Sequence, residues 1–375
     1  MAILYAPSLS KRIRRQLSSY GVPIADADIP AFTAWVNDSK TACGNSQFFV
    51  IRNPTAKLTL NLRGPVDGSP IRVWNGDGTT SSFSLTTGTD TNVGKVYGST
   101  ATRGIVVFGS IKALRSDDSS GQGSDWYANL SGIPLATTVA IGGSTTVTGN
   151  LSGIPLATTV AIYGSNTVTG NLSSIPLATY VNIGGSNTVT GNLSDIPLAT
   201  TVAIGGSTTV TGNLSGIPLA TVVNIHGSNT VTGNLSSIPL ATYVYISGSN
   251  TVTGNLSGIP LATYVNIRGS NTVTGNLSGI PLATYVYIYG SNTVTYNTAS
   301  GGMTWPASMQ QVYLRPDASV FTSAMTDALC IDLAGVVTWT NEKLLDLRGN
   351  CGAATAASSA ARTTLAGKGV TVYVN

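Results

Sequence analysis

The sequence predicts a mainly β fold: a β-solenoid of 21-residue coils, with a small β-sandwich in front of it and an α/β cap behind. Three observations carry that expectation. Leu130, Leu151, Leu172, Leu193, Leu214, Leu235, Leu256 and Leu277 recur at an unbroken spacing of 21 residues, the mark of an architecture in which each repeat stacks on its neighbours. Every copy carries a V-x-I pair, from Val139 and Ile141 to Val286 and Ile288, whose alternation reads as one short strand per coil. Every copy also holds a proline in an IPLAT segment, Pro134 to Pro281, which excludes a regular helix on the return path and favours an extended, polyproline-like one. With 42% apolar and only 9% charged residues, plus 43 glycines, the composition is β-rich and turn-rich, and it argues against disorder.

Taken in order, residues 1–45 form an N-terminal arm. Its SKRIRRQLSSYG reads as a short helix with Ser10 as N-cap and Lys11, Arg12, Arg14 and Arg15 on its surface. That cluster is either a solvated face or an anchor for an acidic partner surface. Residues 46–110 alternate apolar and polar positions in short runs (FFVI, LTLNL, IRVW, GIVVF) broken by Gly, Pro and Asn, as a small β-sandwich does; within them Trp74 is a core residue and Asn75 to Gly78 a turn. Residues 111–129 are a degenerate coil that caps the N-terminal side of the repeats. The eight repeats occupy 130–297, each offering about six apolar side chains to the interior. Ordering 21 residues costs on the order of 20–40 kcal/mol of backbone entropy, so a single coil cannot fold alone and both ends need caps. The C-terminal cap, 298–375, holds an amphipathic helix in SVFTSAMTDALCIDLAG, a second helix over 354–366 ended by Gly367 or Gly369, and a strand over 370–374.

Nearly all the variation between copies falls in three positions. Before the V-x-I valine stand Thr138, Thr159, Tyr180, Thr201, Val222, Tyr243, Tyr264 and Tyr285; between the pair Ala140, Ala161, Asn182, Ala203, Asn224, Tyr245, Asn266 and Tyr287; after it Gly142, Tyr163, Gly184, Gly205, His226, Ser247, Arg268 and Tyr289. Strand alternation turns all three columns away from the core. Constant residues thus build the coil, and variable ones make its surface. Tyr243, Tyr245, Tyr264, Arg268, Tyr285, Tyr287 and Tyr289 gather in the last coils as a candidate ligand-binding face, since tyrosine brings large amphipathic contact area at low entropic cost; cross-strand tyrosine packing is the competing explanation.

No catalytic constellation is visible, and the chain reads as a non-enzyme without cofactors or a resident metal. From Leu130 to Asn297 the only ionisable acid, base or imidazole side chains are Asp195, His226 and Arg268, too few for a phosphate-tracking surface, a catalytic triad or paired carboxylates of a glycosidase. Asp77, Asp117 and Asp118 are either calcium ligands with loop carbonyls or turn residues. The N-L-S triplets match a glycosylation acceptor, but their recurrence in every coil gives them a structural role. Cys43, Cys330 and Cys351 form no even framework; free thiols and a Cys330–Cys351 bridge are both open. The first residues lack the order of a secretory signal, and no segment is apolar enough to span a membrane, which points to assembly in a cytoplasm.

The string V-x-I-x-G-S-N-T-V-T-G-N-L-S-x-I-P resembles a leucine-rich repeat, with V-x-I in place of L-x-L and with Asn166, Asn187, Asn229, Asn250, Asn271 and Asn292 in the position of the asparagine ladder; Thr145 and Thr208 depart from it. The resemblance implies that each ladder asparagine satisfies buried backbone groups of its own and the next coil. IRVWNGDGTTSSFSL, from Ile71 to Leu85, resembles the W-G-D-G-T hairpin of β-sandwich modules that precede such repeats in bacterial surface proteins and bacteriophage structural proteins, with Asn75 inserted. LLDLRGNCGAATAASSAARTTLAGKGVTVYVN is similar to the end cap of the same proteins, with Leu345, Leu347 and Asn350 repeating strand and ladder. These likenesses imply a virion protein assembled in the host cytoplasm: the N-terminal region meets other virion proteins, and the variable sheet face meets a host-surface glycan or protein. A bacterial cell-surface or effector protein is the alternative; nucleic acid and membrane insertion are not expected, and self-association into a homo-oligomer stays open.

Overall fold

The structure, a computed structural model, describes residues 8–45, 47–53, 55, 57–58, 60–115, 127–142, 146–164, 166–290, 292–301, 303–316 and 320–375. The chain forms two compact units, residues 1–189 and 190–375. Both are mainly β, built from parallel strands that recur with the 21-residue repeat.

The first unit opens with two helices, α1 (Leu9–Ser19) and α2 (Ile29–Cys43). Ile13 and Leu17, four residues apart on α1, are fully buried, which leaves its basic residues on the other sides. The helix starts two residues earlier than an N-cap at Ser10 allows: Ser8 is the N-cap, and Ser10 is buried. Pro30 stands in the first turn of α2, where its missing N–H costs nothing, and Gly44 closes that helix in the left-handed conformation with φ 64°. Both helices lie on a sheet, with Ile13, Leu17, Phe32, Trp35 and Val36 in one core with Val50, Trp74, Val106 and Phe108. The segment read as an arm is therefore a packed layer over residues 8–45.

Residues 46–110 supply the antiparallel strands. Phe48–Asn53 pairs with Arg103–Phe108 along its whole length, and Ser69–Trp74 forms a hairpin with Thr80–Leu85 in which Asn75 donates its N–H to the Thr79 carbonyl. Trp74 is core, as expected. These strands extend the repeat sheets directly: Phe48–Asn53 pairs with Tyr127–Asn129, which pairs with Thr146–Asn150, while Asn61–Arg63 pairs with Ala113–Arg115, which pairs with Thr138–Ile141. Ala113–Arg115 and Tyr127–Asn129 pair with the first and the second strand of the first repeat; residues 116–126 between them lie outside the described residues.

Each coil has two strands, one more than the V-x-I pair alone suggests. In the fifth coil, Val222–Ile225 and Thr230–Asn234 are both strands, because T-V-T also alternates outward and inward around a β-branched core residue. Leu214, Ile217, Ala220, Val223, Ile225 and Val231 are all fully buried, the six interior side chains expected per coil. The return path is two tight turns instead of a polyproline segment. A 3-10 turn over Leu214–Gly216 is capped by Asn213, whose side chain accepts from the Ser215 N–H at 2.9 Å; then Ala220 N–H closes on the Ile217 carbonyl, with Pro218 at the second turn position, where its fixed φ fits. The N-L-S asparagines are these caps. Asp195, the lone acid of the repeats, completes a capping box by accepting from the Asn192 N–H at 3.0 Å. Gly233 has φ 109°, and a Cβ there would strike the amide of Asn213 one coil earlier, so the residue of the second strand just before the capping asparagine must be glycine.

The ladder asparagines are fully buried. Asn229 accepts from the Val210 N–H at 2.7 Å and donates to the carbonyls of Ile204 at 3.1 Å and His226 at 2.7 Å. Asn250 does the same with Val231, Ile225 and Ser247. The partners are the residue's own loop and the preceding coil, where the next coil was expected. Thr208, one of the two departures, keeps a bond to its own loop at Gly205, 2.9 Å; Thr145 lies outside the described residues.

Past the repeats, the second unit continues its sheet with Ser308–Pro316, Thr338–Asp346 and Thr371–Tyr373, all parallel. Helices α3 (Ser323–Ala334) and α4 (Ser359–Gly367) cover the end. The α4 segment begins with a 3-10 turn at Ala356, and Asn350 is exposed, unlike the buried ladder asparagines. Asp327 pins the two helices together by accepting from Thr355 and Ser358 at 2.5 Å each. Cys43, Cys330 and Cys351 are free thiols. Among the described residues no helix is long and apolar enough to cross a membrane.

Candidate ligand-binding face

The face is built by the V-x-I strands of the second unit, whose alternation buries Val244, Ile246, Val265, Ile267, Val286 and Ile288 and turns the residues between them outward. Tyr243, Tyr264 and Tyr285 stand opposite one another in register. Their ring centroids are 4.3 and 4.2 Å apart and their planes agree within 8°. Face-to-face stacking covers both faces of Tyr264, so this column offers ring edges and phenolic hydroxyls instead of a flat platform. Burial, followed by the neighbouring Tyr264, pushes the Tyr243 phenol up to about 12 and raises Tyr285 as well, so these two hydroxyls stay neutral at physiological pH and can donate or accept.

The second column runs Tyr245, Asn266, Tyr287, Tyr313, Asp346, Tyr373 across successive strands. Tyr287 and Tyr313 stack at 4.1 Å, and Tyr289 meets Tyr287 edge-on at 5.8 Å. Two positions interrupt the aromatic series. At Asp346, which is buried, Arg315 and Arg348 close on the carboxylate at 2.9 and 2.7 Å, and their guanidinium groups lie over Tyr313 at 4.8 Å and Tyr373 at 4.0 Å. Burial raises the Asp346 carboxyl, but hydrogen bonds from Arg348 and Arg315 prevail and hold it below its ordinary value. At Asn266, 5% exposed, the side-chain carbonyl has no hydrogen-bond partner. Arg268 lies above it, 5.0 Å from the Tyr245 ring and 5.9 Å from that of Tyr287, and donates to the Tyr245 hydroxyl. His226 packs edge-on against Tyr245 at 5.8 Å.

All seven residues expected on this face are thus brought together. Sequence reasoning missed Tyr313, Arg315, Asp346, Arg348 and Tyr373, which extend it. The signal was there: Gln311-Val-Tyr-Leu-Arg315 and Leu344-Leu-Asp-Leu-Arg348 carry the outward-inward alternation of Tyr285-Val-Tyr-Ile-Tyr289, but the intervening spacing departs from 21. Also missed was a surface made of constant residues. The IPLAT leucines face solvent, with Leu198, Leu219 and Leu240 each 44% exposed and Leu282 48%.

On α1, Lys11, Arg12 and Arg15 are exposed and Arg14 is half-buried. Arg12 lies 5.9 Å from the Phe48 ring, and the Arg14 Nε is buried without a hydrogen-bond partner. The exposed three form a basic patch beside α2. Asp77 is occupied as a turn residue, bound to Lys95 at 2.7 Å and to Thr79. Burial works against its ionisation, yet these bonds draw the carboxyl down to about 2. Asp117 and Asp118 lie outside the described residues. No cluster of three His, Cys, Asp or Glu side chains suited to a metal gathers among the described residues.

No family model and no curated protein matches the chain. Among solved structures it is similar to the crystal structure of a TDR receptor, with 11% identity and a TM-score of 0.39 over 56% of this chain and 43% of that one. It is also similar to the crystal structure of a plant ice-binding protein, with 15% identity and a TM-score of 0.34 over 60% of this chain and 70% of that one. The chain spans less than half the length of the receptor.

Proposed function

We propose that the chain is a non-enzymatic bacteriophage virion protein that displays its repeat solenoid for host-surface adhesion, or for capsid or tail decoration, with the tyrosine-rich sheet face as the ligand-binding surface. The observation that carries this reading is the concentration of Tyr243, Tyr245, Tyr264, Arg268, Tyr285, Tyr287 and Tyr289 on one solvent-facing sheet surface above an invariant interior. Large amphipathic side chains with few rotatable bonds are what a recognition surface uses. The leucine-rich-repeat-like string, the W-N-G-D-G-T hairpin and the C-terminal cap support a particle component, since this combination resembles phage structural proteins. The basic patch of Lys11, Arg12 and Arg15 is where the N-terminal layer meets an acidic surface of another virion protein. Gradient sedimentation of a lysate from the source, with antibody against residues 1–45 for blotting and gold labelling, tests the assignment: the protein should co-sediment with particles and label tail or capsid. Protein found free or on cell envelopes instead would favour a bacterial surface or effector protein. In parallel, Tyr285→Ala with Tyr287→Ala should weaken cell-surface binding at least tenfold without unfolding the chain.

A further inference from the structure

The two interruptions of the tyrosine column are the same construction with one group exchanged. Asp346-x-Arg348 and Asn266-x-Arg268 occupy the same two columns of the sheet, each flanked along the central column by tyrosines on the neighbouring strands, Tyr313 and Tyr373 in one case, Tyr245 and Tyr287 in the other. In the first, arginine guanidinium groups stack on tyrosine rings and converge on a carboxylate. In the second, a guanidinium again lies against two tyrosine rings, but the residue beneath it is a neutral amide whose carbonyl accepts nothing. Arg268 takes part in none of the ion pairs among the described residues. From Leu193 to Asn297 the sequence holds no carboxylate except Asp195, which is engaged in its capping box. Arg268 is half-exposed, so solvent reaches it.

We propose that the gap at Asn266 and Arg268 is a binding site for a carboxylate delivered from outside, and that the ligand is a carboxylated sugar. This deepens the adhesion reading and rests on it. The guanidinium supplies charge and paired donors to the carboxylate, as Arg348 does for Asp346. The sugar follows from what else the face lacks. Under Arg268 the Asn266 side-chain carbonyl is buried without a donor, and a carboxylate alone cannot satisfy an acceptor. A polyol ring carries hydroxyl donors beside its acid group, and its apolar face can lie against the Tyr245 and Tyr287 rings that border the gap. Occupation needs Arg268 to release the Tyr245 hydroxyl and turn outward, which a side chain on the sheet surface does without backbone movement.

The experiment is calorimetric titration of the full chain with a panel of glucuronate-, galacturonate- and sialate-bearing oligosaccharides, their neutral counterparts of equal length, and a glutamate oligopeptide. At least one acidic sugar should bind tenfold or more tightly than its neutral counterpart and than the peptide. Asn266→Asp, which builds the Asp346 arrangement into the gap, should abolish that preference while melting at or above the wild-type temperature, so that loss of fold is not the cause. Arg268→Gln should abolish it too. Equal affinity for neutral sugars, tighter binding of the peptide, no binding by any panel member, or unchanged acid preference in Asn266→Asp each overturns the proposal. The adhesion reading fails separately: cell-surface binding that survives Tyr285→Ala with Tyr287→Ala removes the face itself, whereas binding lost there but kept in Asn266→Asp removes only the carboxylate site.

Discussion

Asn229 makes three bonds to backbone, accepting from the Val210 N–H and donating to the carbonyls of Ile204 and His226, and its carbonyl also accepts from the Thr208 hydroxyl at 3.1 Å. Replacing it with leucine strands three buried polar groups, each costing about 1–3 kcal/mol when left unpaired. Asn229→Leu should therefore lower the melting temperature sharply in circular-dichroism melts. Asn229→Thr should lower it less, because Thr208 in the same column retains the bond to its own loop; equal losses would mean that the ladder is spacing alone. At this scale the sequence was informative wherever a residue recurs. The six asparagines announced themselves by position, and so did the N-L-S caps. The partner direction did not, because a side chain's reach toward the coil before or after it leaves no trace in spacing. Nor did the exposure of the IPLAT leucines, since constancy reads as burial whether or not the side chain is covered.

The outward tyrosines act at the scale of the strand. A phenol in an unfolded chain ionises near pH 10, whereas Tyr243 is held protonated to about 12 and Tyr285 is raised as well. The folded state thus keeps protons that the unfolded state has released, so the stability tied to the neutral stack is complete below about pH 10 and is lost as pH rises through about 12. Melts from pH 9 to pH 12 should show a steep fall in wild type and a shallower one in Tyr243→Phe with Tyr285→Phe; identical slopes would count against the stack as the origin. Strand existence was legible from the V-x-I alternation, yet the second strand of each coil was not separated from its loop, because T-V-T borders the G-N pair without a break in polarity. The proline misled in a simple way: it forbids a helix in either case, and a turn satisfies that constraint as well as an extended path.

Because each coil contacts mainly the coils beside it, the molecule should tolerate loss of a whole repeat. Deleting residues 214–234 joins Asn213 to Leu235 and restores the same sequence junction found at Asn234 and Leu235. The product should be soluble, with an unchanged circular-dichroism shape and a slightly lower melting temperature; aggregation would mean that coils are not interchangeable. The repeats were legible as a whole from their period, and so were the last strand, expected over 370–374, and the strand repeated at Leu345 and Leu347; Ser308–Pro316, which continues the sheet directly past Tyr289, was hidden by its irregular spacing. The direction of the asparagine ladder has a further consequence for how the protein is made. Val210, Val231, Val252 and Val273 each donate to an asparagine that lies later in the chain. A nascent chain leaving the ribosome therefore always ends in a coil with an unmet N–H, and the remedy is the next coil to emerge. Synthesis runs in the same direction as the completion of these bonds, so the order of translation is also the order in which the coils can close.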